Sequence, residues 1–262
     1  MLGLLMTIIV FSRLLPRPRE GKYKFPGNTQ IALWSYHFLI QRIAMLPSFR
    51  YFFMSFHTLK FLYLRALGTK IHYLVWSSSN IELSECYLIT IKKDVTLGSR
   101  SEISCHFVRD GQMVLAPTVI EERAQLLLDA IIGPGCIIGK NTVVGISSKL
   151  TYKVIVGENS VIGACCFFQT HIKIGNHVKI GDFVSIESAV VIDDHVTVPS
   201  GTWIRKGMKI NKDTKFLDMR WQEIRRENPR GPIRQESGLR ALAYSEHVVH
   251  AEQKLDALRV EA

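Results

Sequence analysis

A chain of 262 residues with 47% apolar side chains is long enough for one large core or two modest ones, and too hydrophobic for a disordered segment. Its five cysteines, Cys86, Cys105, Cys136, Cys165 and Cys166, form no CxxC pair, which argues against a disulfide framework or a structural zinc and for a reducing, cytoplasmic setting. The net charge of +10 is concentrated: residues 1 to 80 hold ten Lys or Arg against one acid, Glu20, and no recognised nucleic-acid motif accompanies that basic stretch.

The chain opens on "MLGLLMTIIVF", apolar for about ten positions where a membrane-spanning helix needs ~20. A signal peptide would carry its charges ahead of the apolar run and a small-residue cleavage site behind it. Here Arg13, Arg17 and Arg19 follow the run and no A-x-A is present, so an interfacial anchor is the reading that remains. Up to residue 70, "LWSYHFLIQRIAML" and "FRYFFMSFHTLKFLYLRALG" predict basic, aromatic, amphipathic helices. Such helices lie on an anionic bilayer surface or cover the open end of a following domain, and the sequence leaves both uses open.

From residue 71 to 210 a different rhythm takes over. Every sixth residue from Ile132 to Val198 is apolar, twelve in register; if about two residues in five are large and apolar, chance gives this roughly once in 10⁵. Gly, Glu or Asp stands beside these positions ("IGPG", "IGKN", "VGEN", "IDDH"), and two residues before each next one sits a small or β-branched residue such as Thr142, Ser148 or Val178. A period of six would rotate an apolar stripe off any helix face within a few repeats. Short extended pieces with a turn every six residues instead put each apolar residue at the same inward site, and three pieces close one coil of eighteen. The prediction is a mainly β fold: a parallel β-helix with four full coils between 132 and 203, and part of another in the weaker frame at Ile91, Leu97 and Ile103.

Those two frames are one residue out of step. The later one runs back through Ile120, Val114 and Val108, and between the two stands "ISCHFVRDGQMVLAP", whose Asp110-Gly111 is a strong tight-turn pair. A hairpin-like excursion over 105–117 follows, with His106 at its base, where an imidazole titrating near neutrality suits a general base. His171, His177 and His195 all fall at the fourth place of a hexad, a corner. His177 and His195 stack beneath Asn159 and Asn141, a column of residues that tolerate turn angles; His171 is a second candidate base. Beyond the last coil, Arg205, Lys206 and Lys209 in "GTWIRKGMKI" are candidate phosphate-binding groups. Residues 211–262 read as a helical tail, with amphipathic patterns in "FLDMRWQEIRREN" and "LRALAYSEHVVHAEQKLDALRV".

The hexad run over residues 91 to 203 resembles the hexapeptide-repeat acyltransferases. That superfamily implies a left-handed coil, a homotrimer, and acyl transfer from CoA or an acyl carrier protein. A narrower likeness lies in "LWSYHFLIQR", "LYLRALGTKI" and "SCHFVRDGQMVLAPTVI", which are similar to the hexapeptide-transferase-like domains at the membrane-bound end of polylysine-synthetase-type non-ribosomal peptide synthetases. There a Thr-His or Gly-His pair precedes an acidic-Gly loop; here Cys105-His106 does, which implies His106 as catalytic base. Two departures stand out, Ala116 where glycine is common and "EERAQLLLD" where the relatives keep clean hexads.

The resemblance thus implies an acyltransferase at the cytoplasmic face of a membrane, moving an acetyl or longer acyl group from an acyl-CoA to a hydroxyl or amine of a small molecule or glycan. The expected assembly is a homotrimer with peripheral membrane contact, no metal and no nucleic acid. Two alternatives stay open: a non-catalytic β-helical scaffold, and a β-helix of the carbonic-anhydrase kind holding zinc on stacked histidines.

Overall fold

The computed structural model describes residues 7, 10–12, 14–212, 214 and 216. The helical patterns expected near the C-terminus lie outside the described residues. The helices α1 (Thr29–Ala44), α2 (Pro47–Ser55) and α3 (His57–Leu67) precede a solenoid of two- and three-residue strands running from Lys70–Ile71 to Lys209–Ile210. α1 starts where the Asn28 side chain accepts from the Gln30 amide, and α3 ends at Gly68 with φ 109°, a left-handed cap that a glycine adopts without strain.

The solenoid has three parallel walls, one of eight strands and two of seven. Its register is the hexad pattern made physical: Ile138 pairs with Ile120 and with Val156, each eighteen residues away. All twelve hexad positions from Ile132 to Val198 are buried, as are Ile204 and Ile210 beyond them, so the interior is one aliphatic column. Each such side chain contributes about 1.5–3 kcal/mol by leaving water. The small residues two places earlier are buried too. Where they are polar they stitch one rung to the next: Thr142 Oγ1 donates to Gly157 O at 2.7 Å and accepts from the Ser160 amide at 3.2 Å.

Corner geometry explains the rest of the motif. The residue three places after each inward position has positive φ, as at Asn141, Ser147, His177 and His195. At Gly145, a β-carbon would lie 2.2 Å from Gly163 O of the next rung, so only glycine fits there.

More of the chain winds than the two hexad frames predict. Ile71 and Leu83 open a coil ahead of Ile91, joined to it after two extra residues, because Ile71 pairs with Ile91 at a spacing of twenty. Ile120 pairs with Ile91 at twenty-nine, which places eleven extra residues between the early and late frames. Val108 and Val114 belong to that insertion and not to the coil. "EERAQLLLD" is regular after all: Gln125–Leu126 pairs with rungs on both sides, and Ala124, Leu126 and Ala130 are fully buried.

The eleven extra residues form a hairpin, His106–Arg109 against Gln112–Leu115, turning at Asp110 and Gly111, both with positive φ. The Ala116 amide donates to Cys105 O at 3.0 Å where the excursion closes. Its second strand, Gln112–Leu115, also pairs antiparallel with Gly21–Lys24, an extended segment that the helical reading of the first 70 residues does not foresee.

The helices close the first end of the column. Tyr63, Leu64 and Leu67 of α3 pack in one core with Ile71 and Val75, and Tyr63 OH donates to Ala44 O at the end of α1. Among the described residues, no helix is long and apolar enough to cross a membrane.

Candidate active site

The two-residue insertion after Leu83 puts Glu85 at a left-handed corner (φ 56°), followed by a short 3-10 turn over Cys86–Leu88. α1 is tied to this corner: Gln41 Nε2 donates to Leu83 O, and Gln41 Oε1 accepts from the Cys86 amide at 3.2 Å. One rung higher, the hairpin begins. The two irregularities in the coil therefore meet, and Glu85 meets His106.

The Glu85 side chain is 1% exposed, and its carboxylate accepts two hydrogen bonds and lies at ion-pair distance from His106. His106 Nδ1 lies 2.8 Å from Oε1, Trp34 Nε1 donates to Oε1 at 3.0 Å, and the Cys105 amide donates to Oε2 at 3.1 Å. A carboxylate this deeply buried needs such donors. A carboxylate oxygen 2.8 Å from Nδ1 favours the tautomer with the proton on Nδ1, which leaves the lone pair on Nε2. Ser104 Oγ also approaches Nδ1, but at 3.4 Å it is the weaker contact. The His106 ring packs at 5.1 Å from Trp34 and 6.0 Å from Phe38, both on α1. It stays about a quarter exposed. Carboxylate and aromatic wall together hold an imidazole that is partly buried and open on one side.

Neighbouring groups narrow the chemistry. Burial pushes the Cys105 and Cys86 thiols up to about 12, so neither is a thiolate nucleophile beside the imidazole. Glu102, on the same wall, has its carboxyl raised by burial and by Glu82, and lowered in part by His106 and Lys149.

The other residues singled out from sequence lie elsewhere. Side chains alternate along the hairpin strand, so His106 faces α1 while Phe107 faces Tyr152 at 4.8 Å. His171 packs edge-on against Tyr152 at 5.1 Å, on the Phe107 side. The structure brings His106 to Glu85, and His171 to Tyr152, but not the two histidines to each other. His177 and His195 stack in parallel at 4.9 Å beside the Asn141–Asn159 hydrogen bond. Among the described residues, no group of three His, Cys, Asp or Glu could hold a metal ion. Arg205 packs over Trp203, the Lys206 amide donates to Glu187 Oε2 at 2.9 Å, and Lys209 pairs with Asp193 at 3.4 Å. Ile204 is five strands from Ile103 along its wall, roughly 24 Å at the usual inter-strand spacing. Cys86, Cys105, Cys136 and Cys166 are buried thiols outside any disulfide.

Sequence reasoning misses Glu85 and Trp34. Extending the hexad frame back to Ile71 exposes the two-residue slip at "SECYL", and with it an acid one rung below Cys105-His106. No periodic signal marks Trp34.

A family model for the bacterial transferase hexapeptide, six repeats, matches residues 171–206. The chain carries the hexapeptide repeat of bacterial transferases. Its coil is a parallel β-helix of three walls. A delta-poly-L-ornithine synthetase of Acinetobacter baumannii is 26% identical over 162 residues, which is 62% of this chain and 12% of that protein. The chain thus spans about an eighth of the relative's length. Similar solved structures include a putative acetyltransferase of Bacillus cereus, with 15% identity, 66% of this chain and 92% of that one covered, and a TM-score of 0.29. A UDP-N-acetylglucosamine acyltransferase of Francisella novicida has 16% identity, with 53% of this chain and 62% of that one covered, and a TM-score of 0.27. A perosamine N-acetyltransferase mutant of Caulobacter crescentus, in complex with CoA and GDP-perosamine, has 18% identity, 54% and 60% coverage, and a TM-score of 0.19.

Proposed function

We propose that this hexapeptide-repeat protein is an acyltransferase that moves an acyl group from an acyl-CoA thioester to a hydroxyl or amine, with His106 as general base. The observation that carries the reading is the buried Glu85 carboxylate holding Nδ1 of a partly open His106. His106 Nε2 takes the proton from the acceptor as its oxygen or nitrogen attacks the thioester carbonyl. The tetrahedral intermediate collapses, the C–S bond breaks, and the imidazolium returns its proton to the departing thiolate, so the base is regenerated. Glu85 holds the ring and stabilises the imidazolium; Trp34 holds Glu85.

Arg205, Lys206 and Lys209 are too far from His106 to touch reacting atoms. In this reading they serve only the phosphate end of CoA. His171 is the second candidate base, on the opposite face of the hairpin. The assembly proposed is a homotrimer, because the outward column Ile137, Ile155, Lys173 and Val191 is apolar at three of its four places, a strip on one wall that a second copy would cover. Light scattering should give three times the 29.8 kDa chain mass, and Ile137→Glu with Ile155→Glu should give the chain mass alone. Wild type running at the chain mass would remove the trimer. A peripheral site on the inner membrane face completes the proposal, from the basic, aromatic first 70 residues.

The test is release of free thiol from acetyl-CoA in the presence of a panel of acceptors: amino sugars, sugar hydroxyls and, given the relative's name, L-ornithine. His106→Ala should lower turnover by about 10²–10⁴-fold with an unchanged circular dichroism spectrum. Glu85→Gln should lower kcat and shift the pH profile while leaving KM for acetyl-CoA near that of wild type. Equal turnover in wild type and His106→Ala would remove His106 from the chemistry.

A further inference from the structure

At the end of the β-helix closed by the helices lies a cleft of about 660 Å³, bordered by Arg17, Arg65, Lys70, His72, Lys92 and Lys93, with Glu122 as its one acid. Two of these cations are compensated: Lys92 pairs with Glu121 at 2.7 Å, and Lys93 reaches Asp94 at 3.8 Å. Glu122 pairs with Lys140. Among the described residues, Arg17, Arg65 and Lys70 have no carboxylate within 4.0 Å. His72 Nδ1 accepts from the Leu74 amide. Arg17 lies directly over the Gly68 backbone, where a β-carbon would meet its guanidinium at 2.7 Å. Three uncompensated cations around one concavity repel each other until an anion sits between them.

The wall beside this cleft is apolar. Arg65 packs over Phe61, Phe61 meets Tyr73, and Tyr73 and Trp76 both meet His57, with ring distances between 4.8 and 5.5 Å. Phe52, Phe56, Leu62, Tyr73, Leu74 and Trp76 are all exposed, Trp76 at 65%. They come from α2, the α2–α3 junction, α3 and the first coil, and the ring contacts among His57, Phe61, Tyr73 and Trp76 join α3 to that coil. Uncompensated cations beside exposed Tyr, Trp and Phe match a bilayer interface, where the rings sit at headgroup depth and the cations meet phosphate. A free soluble phosphate would need the cleft but not the aromatic rim.

We propose that the first coil and α2–α3 form the membrane-docking face, the Arg17–Arg65–Lys70 cleft taking the phosphate of an anionic lipid headgroup while Trp76 and Tyr73 seat at the interface. This rests on the peripheral-membrane reading above and places it on named groups. It is independent of acyl transfer, since the readout is vesicle association and not turnover.

The full chain is sedimented with vesicles of phosphatidylcholine alone, or of phosphatidylcholine with phosphatidylglycerol, at low and high salt. It should pellet with the anionic vesicles only, and less at high salt. Lys70→Glu with Lys93→Glu, both at exposed positions, should weaken association by about tenfold. Brominated acyl chains should quench tryptophan fluorescence, and Trp76→Phe should lose most of that quench. Association with neither vesicle overturns both the cleft and the peripheral reading. Wild-type association by the double charge variant overturns the cleft and leaves the peripheral reading standing. Tight binding of CoA that the double variant abolishes, with vesicle association unchanged, assigns the cleft to a soluble ligand and also overturns the proposal.

Discussion

A carboxylate that is 1% exposed, as Glu85 is, survives in a protein interior only where donors replace the water it gave up. Here its partners come from three places in the chain: an α1 indole and a coil amide that donate, and a hairpin imidazole 2.8 Å away. The arrangement therefore exists only when helix, coil and hairpin are all in place. His37, three residues beyond Trp34 on α1, shows the opposite strategy. It is buried, its Nε2 lies 3.2 Å from Pro16 O, and burial holds its pKa below the ordinary value of 6.5. The other groups facing it include Tyr87, at a ring distance of 5.9 Å, and the Arg17 cation, which lowers it further. Between pH 6.5 and the lower folded value, the unfolded chain binds a proton that the folded chain refuses. Stability should therefore fall as pH drops below about 6.5. Denaturant midpoints taken from about pH 7.5 down to about 5 should show that slope in wild type and a flatter one in His37→Gln. The same slope in both proteins would assign the acid sensitivity to other groups.

The elements differ in how far a sequence reveals them, and the reason is where their partners lie. A coil strand pairs with residues eighteen away, so its inward positions repeat, and the places of Ile132 to Val198 are legible from spacing alone. The hairpin is legible for a related reason, because inserting eleven residues shifts the hexad frame by one and Asp110-Gly111 marks the turn. Gly21–Lys24 pairs with residues about ninety positions later, and no local pattern announces such a strand. The candidate site is half legible for the same cause. His106 stands at a visible break in the rhythm, but Glu85 stands at a two-residue slip in a first coil too short to establish a rhythm of its own. Trp34 reaches Glu85 through helix docking, which leaves no repeat to read. "EERAQLLLD" misleads in the other direction, since its opening run of charges hides the fact that Ala124, Leu126 and Ala130 keep the inward places.

As a whole molecule the β-helix is nearly one-dimensional, each rung touching only the rungs above and below it. Its helices make the two ends unequal: Tyr63, Leu64 and Leu67 bury the first rung, whereas Ile210 has only Ile192 as its paired neighbour among the described residues. Ile162 sits mid-column, paired through its strand to Val144 on one side and Ile180 on the other. Ile162→Ala should leave a void that neither neighbour can fill, costing about 2–5 kcal/mol in chemical denaturation. Since two stretches of column lose contact across that void, amide exchange should quicken on both sides of it. Ile210→Ala removes the same atoms from a rung with one neighbour, so its effect should stay within the last coil, with the global midpoint little moved. If the two variants lowered the midpoint equally, the rungs would be acting as a single cooperative block, and the nearest-neighbour picture of this fold would have to be abandoned.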